Sequence, residues 1–215
     1  MNKSVYSLVL SDDVIALADR ASARRGISRS SFINEVLAKE LAHVTPEMRI
    51  REIFESMELF SKNSALRVRE QPSDAMMSLL GTLTYKYHPT VRYSVELSHK
   101  TEGIIGALKV SFRTQSVNFL EVLSEFFYLI SGLEEQGAPK GVSFRADAGK
   151  ITRYLSVPTG KVYTAAETGN AIVDYIHMFD KALNSYFSFL PDTERAARGA
   201  ALVYSDYRKH AKYLI

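Results

Sequence analysis

The side chains able to do acid–base, nucleophilic or metal chemistry lie scattered along the chain without a catalytic spacing. The five histidines are far apart, at positions 43, 88, 99, 177 and 210. The absence of cysteine excludes disulfides, thiolate metal sites and cysteine nucleophiles together. Neither Gly-x-Ser-x-Gly nor His-Glu-x-x-His occurs. The sequence therefore predicts that the protein is not an enzyme and that it uses no cofactor and no metal.

Two short patterns approach a known kind of site without meeting its requirements. Residues 158–161, PTGK, match the end of a phosphate-binding loop, but Leu155 stands where the first glycine of that loop belongs. We interpret this segment as a turn between a strand and a helix. His88 and His99 could face each other at the ends of neighbouring strands, yet a pair without a third ligand is a weak metal site.

Bulk composition excludes several classes of protein. With 215 residues, 46% of them apolar, the chain can bury a core in one or two domains. The net charge of +3 is too small for binding to nucleic acid by bulk charge alone. No apolar run approaches the ~20 residues that span a bilayer, and the N-terminus lacks a signal-peptide core. We expect a cytoplasmic protein without membrane contact.

The first ten residues have the pattern of a β-strand. Residues 3–10, KSVYSLVL, are rich in β-branched and aromatic types and alternate between two faces. One face carries Tyr6, Leu8 and Leu10, and the other carries Lys3, Val5, Ser7 and Val9. The pattern predicts a strand with one apolar face.

Two helices are predicted directly after this strand. Ser11 is a candidate N-cap, and two aspartates follow it in the first turn, where the helix dipole favours negative charge. Gly26 is suited to a left-handed C-cap, and Ser28 begins a second helix that closes near Pro46. A single strand leaves backbone groups unpaired along both edges. Since nothing in the next 40 residues alternates, the nearest partner is the same strand in a second copy of the chain.

Residues 3–44 resemble the ribbon-helix-helix family of DNA-binding proteins, the class of the Arc and Met repressors. The matching features are the alternating strand, SDDV at 11–14, the spacing of Leu17, Ala21 and Gly26, and GISRSSFI at 26–33. The resemblance implies an intertwined dimer whose two-stranded ribbon enters the major groove of DNA. Tyr6, Leu8 and Leu10 would then be buried against the helices.

The resemblance also implies which residues contact DNA. The outward strand residues that would read base edges are Val5, Ser7 and Val9, with Lys3 at the end of the ribbon. The residues that would bind phosphate at the start of the second helix are Ser28, Arg29, Ser30 and Ser31. Valine offers no hydrogen bond and at best packs on a thymine methyl group, which predicts weak base readout or several dimers side by side. An intramolecular sheet with an ordinary capped helix at SRSS is the alternative interpretation.

The rest of the chain predicts an α+β fold, an antiparallel sheet with helices packed on one face. The predicted elements are a helix over 46–62, strands over 83–88, 91–98 and 106–113, a helix over 116–136, two short strands around 147–149, and helices over about 165–190 and 192–213. The predicted domains are 1–45 for DNA binding and dimerisation, 46–71 as a connecting helix and linker, and 72–215 as an α+β domain.

Two features of the C-terminal part leave alternatives open. Eleven of the twelve tyrosines lie after residue 84, where they could form core, a dimer interface or the lining of an apolar ligand pocket. The last predicted helix is basic, through Arg195, Arg198, Arg208, Lys209, His210 and Lys212. That basic face is either solvated or a second phosphate-binding surface.

The sequence as a whole predicts a homodimeric regulator of transcription, in the first place a repressor, that binds double-stranded DNA. The C-terminal domain would then mediate oligomerisation, up to a tetramer, or sense a small-molecule or protein effector. The alternative is a protein of plasmid maintenance, mobilisation or DNA organisation whose C-terminal domain docks a partner protein. The residues do not separate these two roles.

Overall fold

The chain folds into two compact units. The computed structural model describes residues 5–62, 65–86, 88–100, 103–137, 144–147 and 149–215. The first unit is Met1–Met48 and the second is Arg49–Ile215. No helix among the described residues combines the length and the apolar character needed to cross a membrane.

The first unit contains the two predicted helices, α1 (Asp12–Arg25) and α2 (Arg29–Glu40). Gly26 ends α1 in the left-handed conformation, with φ of 64°, and its N–H bonds back to the helix. A side chain at this φ would be strained, so glycine is the residue that fits. The Ser28 hydroxyl accepts the Ser31 N–H and caps α2. The end of α1 at Gly26 and the start of α2 after Ser28 are confirmed, but α2 ends at Glu40 rather than near Pro46, where α3 (Pro46–Ser61) begins.

The strand predicted over residues 3–10 is not present in the described part of that segment. Residues 5–10 have no regular secondary structure, and Lys3 lies outside the described residues. The physical reason is that a strand needs a neighbour for its backbone N–H and C=O groups. The ribbon-helix-helix arrangement is therefore not confirmed, and pairing with a second copy stays a prediction.

The second unit is built on a six-stranded antiparallel sheet in the order β1-β2-β3-β4-β6-β5. Its elements, beginning with a helix that crosses the division, are α3 (Pro46–Ser61), β1 (Arg67–Ser73), β2 (Met76–Thr82), β3 (Thr90–Leu97), β4 (Ile104–Phe112), α4 (Val117–Gly137), β5 (Phe144–Asp147), β6 (Lys150–Ser156), α5 (Ala165–Ser188) and α6 (Thr193–His210). The α+β class is confirmed.

The predicted hairpin of 83–88 with 91–98 is wrong. β3 pairs with β2, so that Leu79 lies opposite Tyr93. Residues 83–86 belong to the connection between them, where Tyr85 alternates with polar neighbours because its ring packs on Phe187, 4.9 Å between centroids. Tyr87 lies outside the described residues.

The helix predicted as a connector, α3, contributes to the core of the second unit. Its apolar face, Ile50, Ile53, Phe54 and Met57, is buried in that core. A Cβ at Gly169 on α5 would lie 2.8 Å from the Ile53 carbonyl oxygen. The two helix backbones therefore meet at this glycine. The stretch predicted as linker, 46–71, also contains the first five residues of β1, 67–71.

One face of the sheet is covered by helices. The buried positions alternate along each central strand and include Tyr93, Val95, Leu108, Val110, Ile151 and Leu155. Tyr93 donates to Asp180 of α5 at 2.7 Å, and Arg153 donates to Glu134 of α4 at 3.1 and 3.2 Å. Arg153 and Glu134 are only 3% and 1% exposed, and the guanidinium also lies 4.0 Å from the centre of the Tyr175 ring. These contacts place α4 and α5 on the same side of the sheet.

Two glycines within helices offer a matched test of this packing. Gly169→Ala should lower the free energy of unfolding by about 1–3 kcal/mol, because the added Cβ meets the α3 backbone at 2.8 Å. The Cβ added by Gly132→Ala in α4 has no neighbouring atom within 4 Å. This substitution should raise the free energy of unfolding by about 0.5–1 kcal/mol, because alanine has a higher helix propensity than glycine. Urea unfolding of both variants measures the difference. An increase in stability for Gly169→Ala would contradict the close approach of α3 and α5.

Candidate nucleic-acid interface

The start of α2 presents unpaired backbone donors. The Ser31 N–H bonds to the Ser28 hydroxyl at 3.1 Å, and the Phe32 N–H bonds to the Ser28 carbonyl at 3.0 Å. Within the described chain, the N–H groups of Arg29 and Ser30 have no recorded acceptor, and the side chains of residues 28–31 are exposed. Free amides at the positive end of a helix dipole favour an anion. The four residues predicted to bind phosphate are thus brought together at one helix terminus.

The Arg29 guanidinium is already paired with a residue that the sequence analysis did not identify. Its Nε and Nη2 donate to the two carboxylate oxygens of Asp19 on α1, the second at 2.6 Å. Both side chains are about half exposed, so such a pair contributes only about 0–1 kcal/mol. The pair holds the Arg29 guanidinium against α1, and separating its two members costs little.

The predicted base-reading residues are not organised in the single chain. Val5, Ser7 and Val9 are exposed in a segment without regular structure, and Lys3 lies outside the described residues. The structure of the described residues does not group them with the start of α2, and that grouping stays a prediction.

The first unit leaves most of its large apolar side chains in contact with water. Its buried apolar residues are Ala18, Ala38 and Met48. The exposed large ones are Val5, Tyr6, Leu8, Val9, Leu10, Val14, Leu17, Val36, Leu37, Leu41 and Val44. Scattered exposed apolar residues are ordinary, but this number within 48 residues marks an interaction surface.

A shallow cavity of about 280 Å³ lies between α5 and α6 in the second unit. Its titratable lining residues are Asp174, His177, Lys181, Asp206, Tyr207 and His210. Among the described residues, no group of three His, Asp or Glu side chains has an arrangement that could hold a metal ion. The cavity thus offers both signs of charge to a small polar molecule.

Burial shifts the pKa of three titratable groups at or beside this cavity, His177, Asp174 and Asp180. It lowers the pKa of His177, although the nearby carboxylates of Asp174 and Asp180 act in the opposite direction. It raises the pKa of Asp174, against the effect of His177. It also raises the pKa of Asp180, although the Tyr93 hydroxyl donates to that carboxylate. The folded protein therefore favours a neutral His177.

The lowered pKa of His177 predicts a loss of stability in mild acid. As the pH falls below about 6.5, the unfolded chain takes up a proton that folded His177 resists, so the free energy of unfolding decreases. Urea unfolding between about pH 7.5 and pH 5.5 should show a smaller decrease in His177→Gln than in the wild type. Asp174 and Asp180 act in the opposite direction and at lower pH, because their raised pKa values favour the folded state as the pH falls.

A control for this experiment is His99→Gln, which removes an exposed histidine. It should keep the pH dependence of the wild type. Equal slopes in His177→Gln and the wild type would show that His177 is not the group responsible.

Comparison of the chain with protein-family models, with curated proteins and with solved structures finds no match in any of the three.

Proposed function

We propose that the protein is a homodimeric DNA-binding regulator of transcription, in the first place a repressor, whose first unit supplies both the dimer interface and the DNA contacts. The observation that carries this proposal is the exposed apolar surface of the first unit. Over its described residues, 5–48, the buried apolar side chains are Ala18, Ala38 and Met48, which are too few to form a core. A second copy of the same unit is the partner that the resemblance to ribbon-helix-helix proteins supplies.

The proposed dimer would both pair backbone groups and bury exposed apolar side chains. Pairing residues 3–10 of two chains would satisfy backbone groups that have no partner in one chain. The same pairing would bury Tyr6, Leu8 and Leu10 against the apolar sides of α1 and α2, where Leu17 and Leu37 are now 59% and 49% exposed. Fully burying one such side chain contributes about 1.5–3 kcal/mol.

The dimer would place two sets of DNA contacts on one surface. Each ribbon strand would present Lys3, Val5, Ser7 and Val9 to the major groove. Each α2 terminus would bind a backbone phosphate through the free amides of Arg29 and Ser30, with the guanidinium exchanging Asp19 for the phosphate. Because two of the three central reading positions are valine, phosphate contacts would supply most of the affinity.

The second unit would serve regulation in the cytoplasm rather than catalysis. It folds around its own core and carries a cavity with both signs of charge. A small molecule with charged groups bound there, or contact between second units, would change how two dimers sit on adjacent half-sites.

Removing one apolar side chain from the proposed interface tests the dimer. Leu37→Lys should raise the dissociation constant of the dimer at least about 100-fold, because two buried leucines are lost per dimer. Sedimentation equilibrium at micromolar concentration measures the change. Leu202→Lys is the control, since Leu202 is 71% exposed on α6 in the second unit. An unchanged mass for Leu37→Lys, or a monomeric wild type, would rule out this interface.

Two substitutions of Arg29 separate its guanidinium from its backbone amide. Arg29→Ala should reduce the salt slope of DNA binding by about 0.9 per subunit, because one charged phosphate contact is lost. Arg29→Pro also removes the N–H, so its affinity at fixed salt should be lower still with the same slope. Proline is tolerated at the first position of a helix, and Ser28 has the extended conformation that suits a following proline.

Fluorescence anisotropy with duplexes from the DNA upstream of the coding region, at several KCl concentrations, measures both effects. Thr193→Pro, at the first position of α6, is the control for the proline itself. Preference for one duplex supports a local regulator, whereas equal binding to all duplexes favours the DNA-organising or plasmid role. Unchanged binding by Arg29→Pro would contradict a phosphate site at α2.

A further inference from the structure

The face of the sheet opposite α4 and α5 carries an ordered array of positive charges. In antiparallel strands, residues directly opposite each other point to the same face. The register places one row of six residues across the whole sheet: Arg69, Ser78, Ser94, Lys109, Thr152 and Arg145. The next row is Arg67, Leu80, Arg92, Ser111, Lys150 and Asp147. We call the six cations of these rows, Arg67, Arg69, Arg92, Lys109, Arg145 and Lys150, the basic face.

The basic face concentrates charge that the chain as a whole does not have. Among the strand residues whose side chains the structure describes, the six cations share this side with two carboxylates, Glu96 and Asp147. The whole chain has a formal net charge of only +3. Lys109 is paired with Glu96. The structure records no carboxylate partner for the four arginines within the described part of the chain.

The spacing of these cations fits an extended polyanion better than a small anion. Neighbouring strands lie about 4.8 Å apart, so the row from Arg69 to Arg145 spans about 24 Å across six strands. The cations are spread over that width and do not converge on one point. Within each row the cations lie two or three strands apart, about 10–14 Å, so a ligand that contacts several of them must carry negative charge along its length, as a nucleic-acid backbone does.

The uncharged residues of the same face indicate backbone contact rather than base contact. Between the cations lie the hydroxyls of Ser111 and Thr152, a type of group that commonly contacts phosphate, while the hydroxyls of Ser78 and Ser94 bond to each other at 3.0 Å. Sheets that bind single-stranded RNA stack its bases on aromatic side chains, and in these strands the outward side has one aromatic residue, Tyr154. Protein interfaces need an apolar centre, which these two rows lack apart from Leu80.

We propose that the basic face is a second DNA-contacting surface, which binds the phosphate backbone of double-stranded DNA. It requires neither the ribbon nor the terminus of α2, so it goes beyond the function proposed above. Sequence would not be read at this surface, because phosphates are the same at every base pair. Its effect would be on affinity and on the length of DNA that one molecule covers.

The test compares two triple variants of the full chain with equal loss of charge. Arg67→Gln/Arg92→Gln/Arg145→Gln removes three exposed cations of the basic face. Lys62→Gln/Lys86→Gln/Lys161→Gln removes three exposed lysines outside the sheet. Anisotropy with a 30-base-pair duplex of mixed sequence is measured at several KCl concentrations. The first variant should lower the slope of log K against log salt by about 2.7, at about 0.9 per contact, and the second should leave it unchanged.

Equal slopes in the two triple variants would overturn the proposal. Tighter binding to single-stranded RNA than to the duplex would overturn the assignment to duplex DNA. A change of sedimentation mass in the first variant without a change of slope would also overturn the proposal, because the basic face would then be an interface between copies of the chain. If that variant fails to fold, Arg145→Gln alone should lower the slope by about 0.9, and no change would have the same meaning.

Arg29→Pro in the same titrations separates this proposal from the function proposed above. Loss of binding in Arg29→Pro with no effect of the sheet variant contradicts the basic face alone. Loss in the sheet variant with no effect of Arg29→Pro contradicts the site at α2 alone.

Discussion

The first 48 residues leave most of their large apolar side chains exposed, and the proposed assembly depends on this constraint. The two helices, of 14 and 12 residues, bury Ala18 and Ala38, while Val14, Leu17, Val36 and Leu37 on their surfaces stay exposed. Short helices gain most of their stability from packing an apolar face. In the proposed dimer a second copy would supply the missing packing, and the DNA-contacting surface would belong to the pair.

The second unit has a different constraint, because it buries the charge of Arg153 beneath its sheet. Arg153 lies at a core position of β6, where an unpaired guanidinium would cost several kcal/mol. Glu134 supplies the counter-charge from α4, the Tyr175 ring supplies a cation–π contact from α5, and the backbone oxygen of Ile215 accepts a further hydrogen bond. The buried charge of Arg153 thus connects α4, α5 and Ile215 to β6. The opposite face of the sheet is left for polar groups.

Features that depend on residues close together in the sequence were predicted correctly, whereas features that depend on distant contacts were missed. Caps act within four residues, so Gly26 and Ser28 marked helix ends correctly, and long apolar helices such as α4 were visible from their periodicity. β1 and β2 were missed because Pro72 and Asp74 indicated a loop where the structure has a hairpin. The Arg29–Asp19 pair and the basic face depend on packing and on strand register, which local spacing does not reveal.

The two proposed DNA surfaces would divide the work of binding in a physically distinct way. Valine at two of three reading positions limits what a ribbon could gain from one sequence over another. Phosphate contacts at α2 and on the basic face would raise the affinity for every sequence equally and would weaken steeply with salt. Discrimination would then have to come from how several dimers fit adjacent half-sites, because a mismatch in spacing breaks many weak contacts together. The second unit would then provide the sequence specificity that the ribbon lacks, by setting how several dimers fit adjacent half-sites.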